Sequence, residues 1–245
     1  MTLLKLTKDE FLQRLAANEP LTQLDLSFMP LTRLDLSGRD LSGSTMDNAH
    51  LVGCNLSGAR FNRASLSRIC FEDCQLNAAD FRSVRAPGSV FKRVQLGEAR
   101  FDGASLRSAH FNNIDGEQVN WGGADLQFVW FNTTQLTAAV FQKARLSYAI
   151  FQNCVATKVQ WDDADLSCAE MIGADLRGST FQRTVMMATD LTGACLKDCF
   201  FERALMFGTV LVNADINRDL LDVACIDELV WDKAEEAEPA KAEEK

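Results

Sequence analysis

The chain has 245 residues and a net charge of −9 at neutral pH. It contains no run of about 18 apolar residues, so no membrane-spanning helix is expected. Because no basic stretch followed by an apolar core opens the sequence, we expect a cytoplasmic protein, and export by a route that needs no cleavable signal stays open.

The charge is distributed unevenly along the sequence. Residues 60–107 carry nine Lys or Arg against five Asp or Glu, a net of +4. Residues 108–232 carry eight against seventeen, a net of −9. Solvated faces account for such a distribution, and the alternative is that the charge gradient orients a partner along the molecule.

Residues 1–20 contain a helix signal. Thr7 and Glu10 have the spacing of a capping box, and Leu6 and Phe11 have that of a hydrophobic staple. The pattern predicts a helix over 8–17 that ends before Pro20. We expect it to cap the open end of the structure that follows.

From Leu21 to Trp231 every fifth residue belongs to one column of large apolar side chains. Of its 43 positions, 40 hold Leu, Phe, Met, Ile or Trp. A second column lies two residues earlier and, from Ser44 to Ala214, contains only Ala, Ser, Thr, Cys, Val or Ile. A period of five fits neither a helix nor a strand, so the pattern indicates an internal repeat and a solenoid.

The repeat units resemble those of the pentapeptide-repeat superfamily, whose units read A(D/N)LXX. The units that carry the resemblance are Ala124-Asp125-Leu126, Ala164-Asp165-Leu166, Ala174-Asp175-Leu176 and Ala214-Asp215-Ile216. The resemblance implies an all-β fold, a right-handed quadrilateral parallel β-helix with four units in each coil. We therefore divide the chain into an N-terminal capping segment with a helix (1–20), the solenoid (21–216), a C-terminal cap (217–233) and a disordered acidic tail (234–245).

With four units per coil, residues 20 positions apart stack inside the solenoid. Phe and Trp recur at this spacing in two series, which predicts two aromatic ladders with rings about 4.8 Å apart. Cys54 and Cys74 are also one coil apart; reduced core thiols are the favoured interpretation, and a disulfide stays open. Pro and Gly near Ala86 and Gly116 predict changes of turn or small bulges.

The residues that usually carry catalysis are scattered. His50 and His110 are 60 residues apart, which is three coils or about 14 Å. Phosphate-binding glycine loops, metal-ligand clusters and nucleophile motifs are not found in the sequence. We predict a protein that is not an enzyme and uses no cofactor or metal. Direct nucleic-acid binding is not expected, because the basic stretch lacks interleaved aromatic residues on its outer face.

Several large apolar side chains do not belong to either inward column. Phe128, Trp130, Tyr148 and Ile150 are predicted to face outwards in two neighbouring coils, and Val90 and His110 extend the Trp130 column. A row of exposed apolar groups is typical of a docking surface, so these six residues are the predicted partner-binding site. Coverage by a terminal segment and incidental exposure are the alternatives.

These features predict a non-enzymatic scaffold or adaptor that binds another protein or itself. The opening, a helix followed by Leu-Asp-Leu-Ser units, is similar to pentapeptide-repeat proteins found beside bacterial type VI secretion components, which implies an association with a secretion system. The alternative is mimicry of duplex DNA, as in superfamily members that protect DNA gyrase. The acidic residues 108–232 permit that function, whereas the basic residues 60–107 argue against it.

Overall fold

The structure is a computed structural model and describes residues 3–221, 224–226 and 229–230. It is a parallel β-solenoid in which each paired residue bonds to the residue 20 positions further on, from Leu4 with Leu24 to Val210 with Val230. Pairs recur at four positions in every 20 residues, so each coil has four short sides. The predicted quadrilateral parallel β-helix is confirmed.

One side of the solenoid forms a continuous sheet, and the other sides are joined by single bridges. The sheet has seven parallel strands, β3 to β9, and a separate two-stranded sheet joins β1 to β2. The elements are β1 (Leu4–Lys5), α1 (Lys8–Ala16), β2 (Leu24–Asp25), β3 (Pro30–Thr32), β4 (His50–Val52), β5 (Cys70–Glu72), β6 (Val90–Lys92), β7 (His110–Asn112), β8 (Trp130–Asn132), β9 (Ile150–Gln152) and a 3₁₀ helix (Arg218–Leu221).

The five-residue unit explains both the core and the corners. Large-column side chains from Leu36 to Leu211 are at most 1% exposed. Two positions after a large residue the backbone turns through the left-handed region, with φ of 66° at Gly58 and 58° at Arg63. At most corners the next amide then closes the turn, as in the 2.8 Å bond from the Ala64 N–H to the Phe61 carbonyl. Repeated turns of this kind bend the chain into a closed coil.

The two predicted aromatic ladders are confirmed. Phe61 stacks on Phe81 with ring centroids 4.8 Å apart, and Phe91 stacks on Phe111 at 4.7 Å. Rings of the two ladders meet edge to face, as Phe101 and Phe111 do at 6.4 Å. Because stacked and edge-to-face pairs both suit the quadrupole of an aromatic ring, this network adds stability beyond the area that it buries.

Helix α1 covers the N-terminal end of the solenoid. The capping box is confirmed, since the Thr7 side chain accepts a hydrogen bond from the Glu10 N–H and the Glu10 carboxylate accepts one from the Thr7 N–H. Phe11 is fully buried in the core below the helix. Arg39, which replaces a small inward residue, donates hydrogen bonds to the Asn18 side chain and the Glu19 carbonyl. Its charge therefore fastens the end of the helix segment to the first coils.

The prediction of bulges near Ala86 and Gly116 is wrong. Arg85 and Asp115 each bridge to the residues 20 positions before and after them, so the register continues without an inserted residue. Gly88 adopts φ of 64° at a normal corner position, where any unit of this solenoid turns. Pro and Gly here serve the regular turn instead of interrupting it.

The C-terminal part is described only in pieces. The 3₁₀ helix Arg218–Leu221 follows the last regular unit, and bridges still join Leu205 to Cys225 and Val210 to Val230. Residues 231–233 of the predicted cap and the predicted disordered tail, 234–245, lie outside the described residues. No helix in the described part is long and apolar enough to cross a membrane.

The cysteines divide into two groups by their position in the unit, and all eight are free thiols. Cys54, Cys74, Cys154 and Cys199 occupy the small inward column and are buried. Burial raises the pKa of Cys154 and that of Cys199 to about 12. The neighbouring Cys54 thiol and burial raise the pKa of Cys74 well above its usual range. The burial of all four side chains fits compact fillers of the inward column.

Loss of one ladder ring should destabilise the whole solenoid. Phe111→Ala removes a ring that stacks on Phe91 and Phe131 and should lower the free energy of unfolding by about 3–5 kcal/mol. Urea denaturation followed by circular dichroism measures the change. Asn112→Ala, one residue further along the same strand, is the control and should change it by less than about 0.5 kcal/mol. Equal effects of the two substitutions would contradict the ladder's role.

The two groups of thiols should react at different rates. At pH 8 a thiol with a pKa near 12 is ionised to about one part in ten thousand, and only the thiolate attacks a disulfide reagent. We expect the four cysteines outside the inward column to react first, and Cys154 and Cys199 only after denaturation. The reaction is followed with an aromatic disulfide reagent, with and without guanidinium. Release of all thiols in the native state would show that the core is open to solvent.

Candidate functional site

The predicted outward-facing residues lie together on one corner and the adjoining sheet. Phe128, Trp130 and Tyr148 are 49%, 38% and 54% exposed, and Ile150 is partly buried. These four residues, in two neighbouring coils, are here called the mid-rod patch. The sheet face that carries them is paired on both sides over its length, so side chains and not free strand edges are available for contact.

Phe128 and Tyr148 occupy the corner itself. Their rings stack with centroids 5.1 Å apart and planes 4° from parallel. Both residues turn the backbone with positive φ, 60° at Phe128 and 62° at Tyr148. A bulky side chain is rarely found in this region, which Gly and Asn adopt more readily. Most corners of this solenoid hold Gly or a small or polar residue, and Phe28 is a further aromatic at one, so the turn itself does not require Phe128 or Tyr148.

Arg107 completes the corner on its N-terminal side. Its guanidinium carbon lies 5.5 Å from the centre of the Phe128 ring, in cation–π geometry. The same guanidinium donates to the Gln127 side chain and lies 3.6 Å from the Asp125 carboxylate. Asp125 is also 3.8 Å from Arg145 in the next coil. The aromatic stack is thus bordered by a small charged network that remains exposed to solvent.

Trp130 and Ile150 belong to the sheet beside the corner. Trp130 pairs in register with His110 on one side and Ile150 on the other, and Val90 pairs with His110. The rings of His110 and Trp130 are 5.7 Å apart and tilted by 59°. The predicted column is therefore brought together as one strip. His110, Val90 and Ile150 are only partly exposed, so Trp130 projects furthest from it.

A shallow groove of about 400 Å³ opens at the C-terminal edge of the patch. Trp130, Ile150 and Ile172 line it with apolar atoms, and Glu170 adds a carboxylate. Ile172 is 51% exposed. Concave apolar surfaces with a few polar groups are the usual form of a recognition site, so the groove extends the patch as a candidate contact.

The groove lies where the geometry of the coil changes. In each coil the chain turns a corner after it leaves this sheet face. In residues 31–154 these corners are not closed by a backbone hydrogen bond, whereas the Ala174 N–H donates to the Met171 carbonyl at 3.1 Å. The inward residue at this corner changes from Cys154 in one coil to Ala174 in the next. Strand β9 ends the sheet at the same level, and Glu170 continues it only as a single bridge to Ile150.

Sequence patterns missed three contributors to this surface: Arg107, Glu170 and Ile172. Their position in an outward column was evident from the repeat, and Arg107 lies one coil before Gln127. Its placement over the Phe128 ring depends on the side-chain conformation, which the repeat does not specify. The groove lies at the change of turn, which the repeat pattern does not signal, since corners with Cys, Val or Ile as the inward residue are closed elsewhere in the solenoid.

Groups of three His, Cys, Asp or Glu that could hold a metal ion do not occur in the described part of the chain. The mid-rod patch offers apolar area, a cation and carboxylates at its border. Such a surface suits non-covalent contact with another macromolecule.

Comparison with known families agrees with the repeat and the coil geometry. The pentapeptide repeat region family matches residues 29–101, and the pentapeptide repeats family matches 122–155, 151–183 and 185–218. The chain belongs to the pentapeptide repeat proteins. No curated protein matches its sequence.

Solved structures of pentapeptide repeat proteins are similar to this chain. HetL, a pentapeptide repeat protein involved in heterocyst differentiation regulation in the cyanobacterium Nostoc, is 24% identical, with a TM-score of 0.42 over 81% of this chain and 96% of HetL. Full-length QnrB1, a plasmid-mediated fluoroquinolone resistance protein, is 19% identical, with a TM-score of 0.26 over 94% of this chain and 90% of QnrB1. Rfr23 from the cyanobacterium Cyanothece is 21% identical, with a TM-score of 0.22 over 55% of this chain and 88% of Rfr23.

Replacing the corner aromatic should leave the fold intact. Phe128→Gly removes the stack on Tyr148 but relieves a left-handed conformation that costs a bulky residue about 1–2 kcal/mol. We expect the free energy of unfolding to change by less than about 1 kcal/mol in urea denaturation. Phe131→Ala, three residues away in the buried ladder, should lower it by about 3–5 kcal/mol. A loss above about 2 kcal/mol for Phe128→Gly would assign this residue to the fold.

Proposed function

We propose that this protein is a non-enzymatic binding rod and that the mid-rod patch is where a protein docks on it. The observation that carries the proposal is the pair of stacked aromatic residues at corner positions that favour Gly, beside an exposed Trp130. Tyr and Trp are enriched at protein interfaces because they combine a large apolar area with a polar atom. The border of charged residues fits the polar rim of such an interface.

The adaptor role in a bacterial secretion system, with a cytoplasmic location, is part of this proposal. It is supported by the helix and the Leu-Asp-Leu-Ser units at residues 24–27 and 34–37, which form the N-terminal end of the rod. These residues are far from the mid-rod patch along the axis. In this proposal the N-terminal end of the rod is capped, and the mid-rod patch binds the partner.

Mimicry of duplex DNA towards gyrase is the alternative, and the ion pairs weigh against it. Several carboxylates of the acidic half are neutralised by neighbouring cations; these pairs are Asp163–Arg183, Asp175–Arg177 and Asp215–Lys197. A surface that imitates a phosphate backbone needs carboxylates that stay available to a partner's cations. The seventeen carboxylates of residues 108–232 are therefore not all available to the cations of a partner.

Removal of the patch should abolish binding and preserve the fold. The double variant Phe128→Gly with Trp130→Ala should lose the protein that co-purifies with the tagged chain, because both large exposed aromatic groups are gone. Pull-down and analytical ultracentrifugation measure this loss, and circular dichroism checks the fold. Phe200→Ala is the matched control, since Phe200 is 56% exposed and lies on the opposite side of the coil.

Identical binding profiles for the double variant and the unmodified protein would refute the proposed site. A gyrase supercoiling assay, run with and without a quinolone, separates the two functions. We expect no effect of the protein even in large excess. Inhibition of supercoiling or protection from the quinolone would support the DNA-mimic function instead.

A further inference from the structure

We infer that the occupant of the mid-rod patch is a second copy of this chain, bound antiparallel. The inference rests on the proposed binding function of the patch and identifies the partner. It follows from how charge and shape are distributed on the two sides of the patch along the rod.

A two-fold axis across the rod, between the coils of Trp130 and Ile150, generates this arrangement. Two-fold contacts use the same surface on both subunits, so the surface must complement itself. The rotation keeps each outward column on its counterpart and reverses the order of the coils. Trp130 then faces Ile150 of the second copy, and Phe128 faces Tyr148. The apolar residues meet at the centre of the contact, where they are shielded from water.

The polar groups beside the patch complement each other in this register. One coil outwards from the apolar pair, the His110 imidazole, which can donate an N–H hydrogen bond, faces the Glu170 carboxylate of the second copy. Within one chain His110 and Glu170 are three coils apart, about 14 Å, which is too far for contact. Their complementarity can therefore act only between two copies.

The limits of the contact follow from the same register. Val90 falls opposite Asp190, an apolar residue against a carboxylate, so it lies at the rim of the contact and the complementary stretch covers the four coils from His110 to Glu170. Beyond it, the basic residues 60–107 of one copy lie towards the acidic half of the other. A parallel arrangement would place like charges together.

The groove supports the antiparallel arrangement by its shape. Trp130 lines it on the N-terminal side of the two-fold axis, and Ile150, Ile172 and Glu170 line it on the C-terminal side. The residues that face it across the axis are Trp130 and His110 of the second copy. The most prominent aromatic side chain of this face is thus presented to its concave apolar part, twice in each dimer.

A charge exchange tests the register. His110→Glu should raise the dimer dissociation constant roughly tenfold, because two introduced carboxylates then face Glu170 of the other copy. The double variant His110→Glu with Glu170→Lys should restore or exceed the original affinity. Sedimentation equilibrium measures the dissociation constants, and urea denaturation confirms that each variant is folded. Gln160→Glu, on the opposite side of the coil, is the control and should leave the constant unchanged.

Two results would overturn the inference. One is an unmodified chain that stays monomeric up to about 100 µM, a concentration at which weak dimers are detected. The other is a double variant that dimerises no better than His110→Glu alone, which would exclude the antiparallel register. A monomeric chain that still loses its co-purifying protein on Phe128→Gly with Trp130→Ala would leave the proposed function standing and the second copy excluded.

Discussion

Parallel pairing between residues 20 positions apart is the constraint on which the rest of this molecule depends. It brings each side chain above its equivalent in the next coil, so that one favourable neighbour is repeated along the rod. Inside the solenoid, aromatic rings stack on the aromatic rings of the next coil, and Leu side chains pack on Leu side chains. Outside, opposite charges one coil apart in the same column attract each other, and several such pairs occur. Examples are Asp40 with Arg60, Asp73 with Arg93 and Asp163 with Arg183.

Most of the fold could be predicted because the repeat never slips. Inward and outward columns and the helix with its capping box follow from spacing. The aromatic ladders follow from spacing together with the four units per coil that the family resemblance implies. The pairing of Leu4–Lys5 with Leu24–Asp25 could not be predicted, since residues before the repeat carry no register. Bulges near Ala86 and Gly116 were expected from Pro and Gly, but these residues also suit the ordinary corner. Composition alone cannot distinguish the two uses.

The candidate site was predictable to the extent that it departs from the repeat. Phe128, Trp130, Tyr148 and Ile150 stand out because a solenoid needs nothing large on its outer face. The position of Arg107 over the Phe128 ring could not be derived, because it depends on a flexible side chain. Corner residues differ from others in that backbone geometry restricts them. An aromatic side chain there carries more information about function than the same side chain on a flat face.

The uniform register also makes the rod adjustable in length. Because every coil contributes the same rise of about 4.8 Å and presents its sides in the same directions, the gain or loss of 20 residues moves the two ends relative to each other without rotating any column. The distance between the capped N-terminal end and the mid-rod patch can thus change in discrete steps during evolution while both stay intact. The hydrogen-bonded pairing between coils thus sets the distance between the two ends in steps of one coil, about 4.8 Å each.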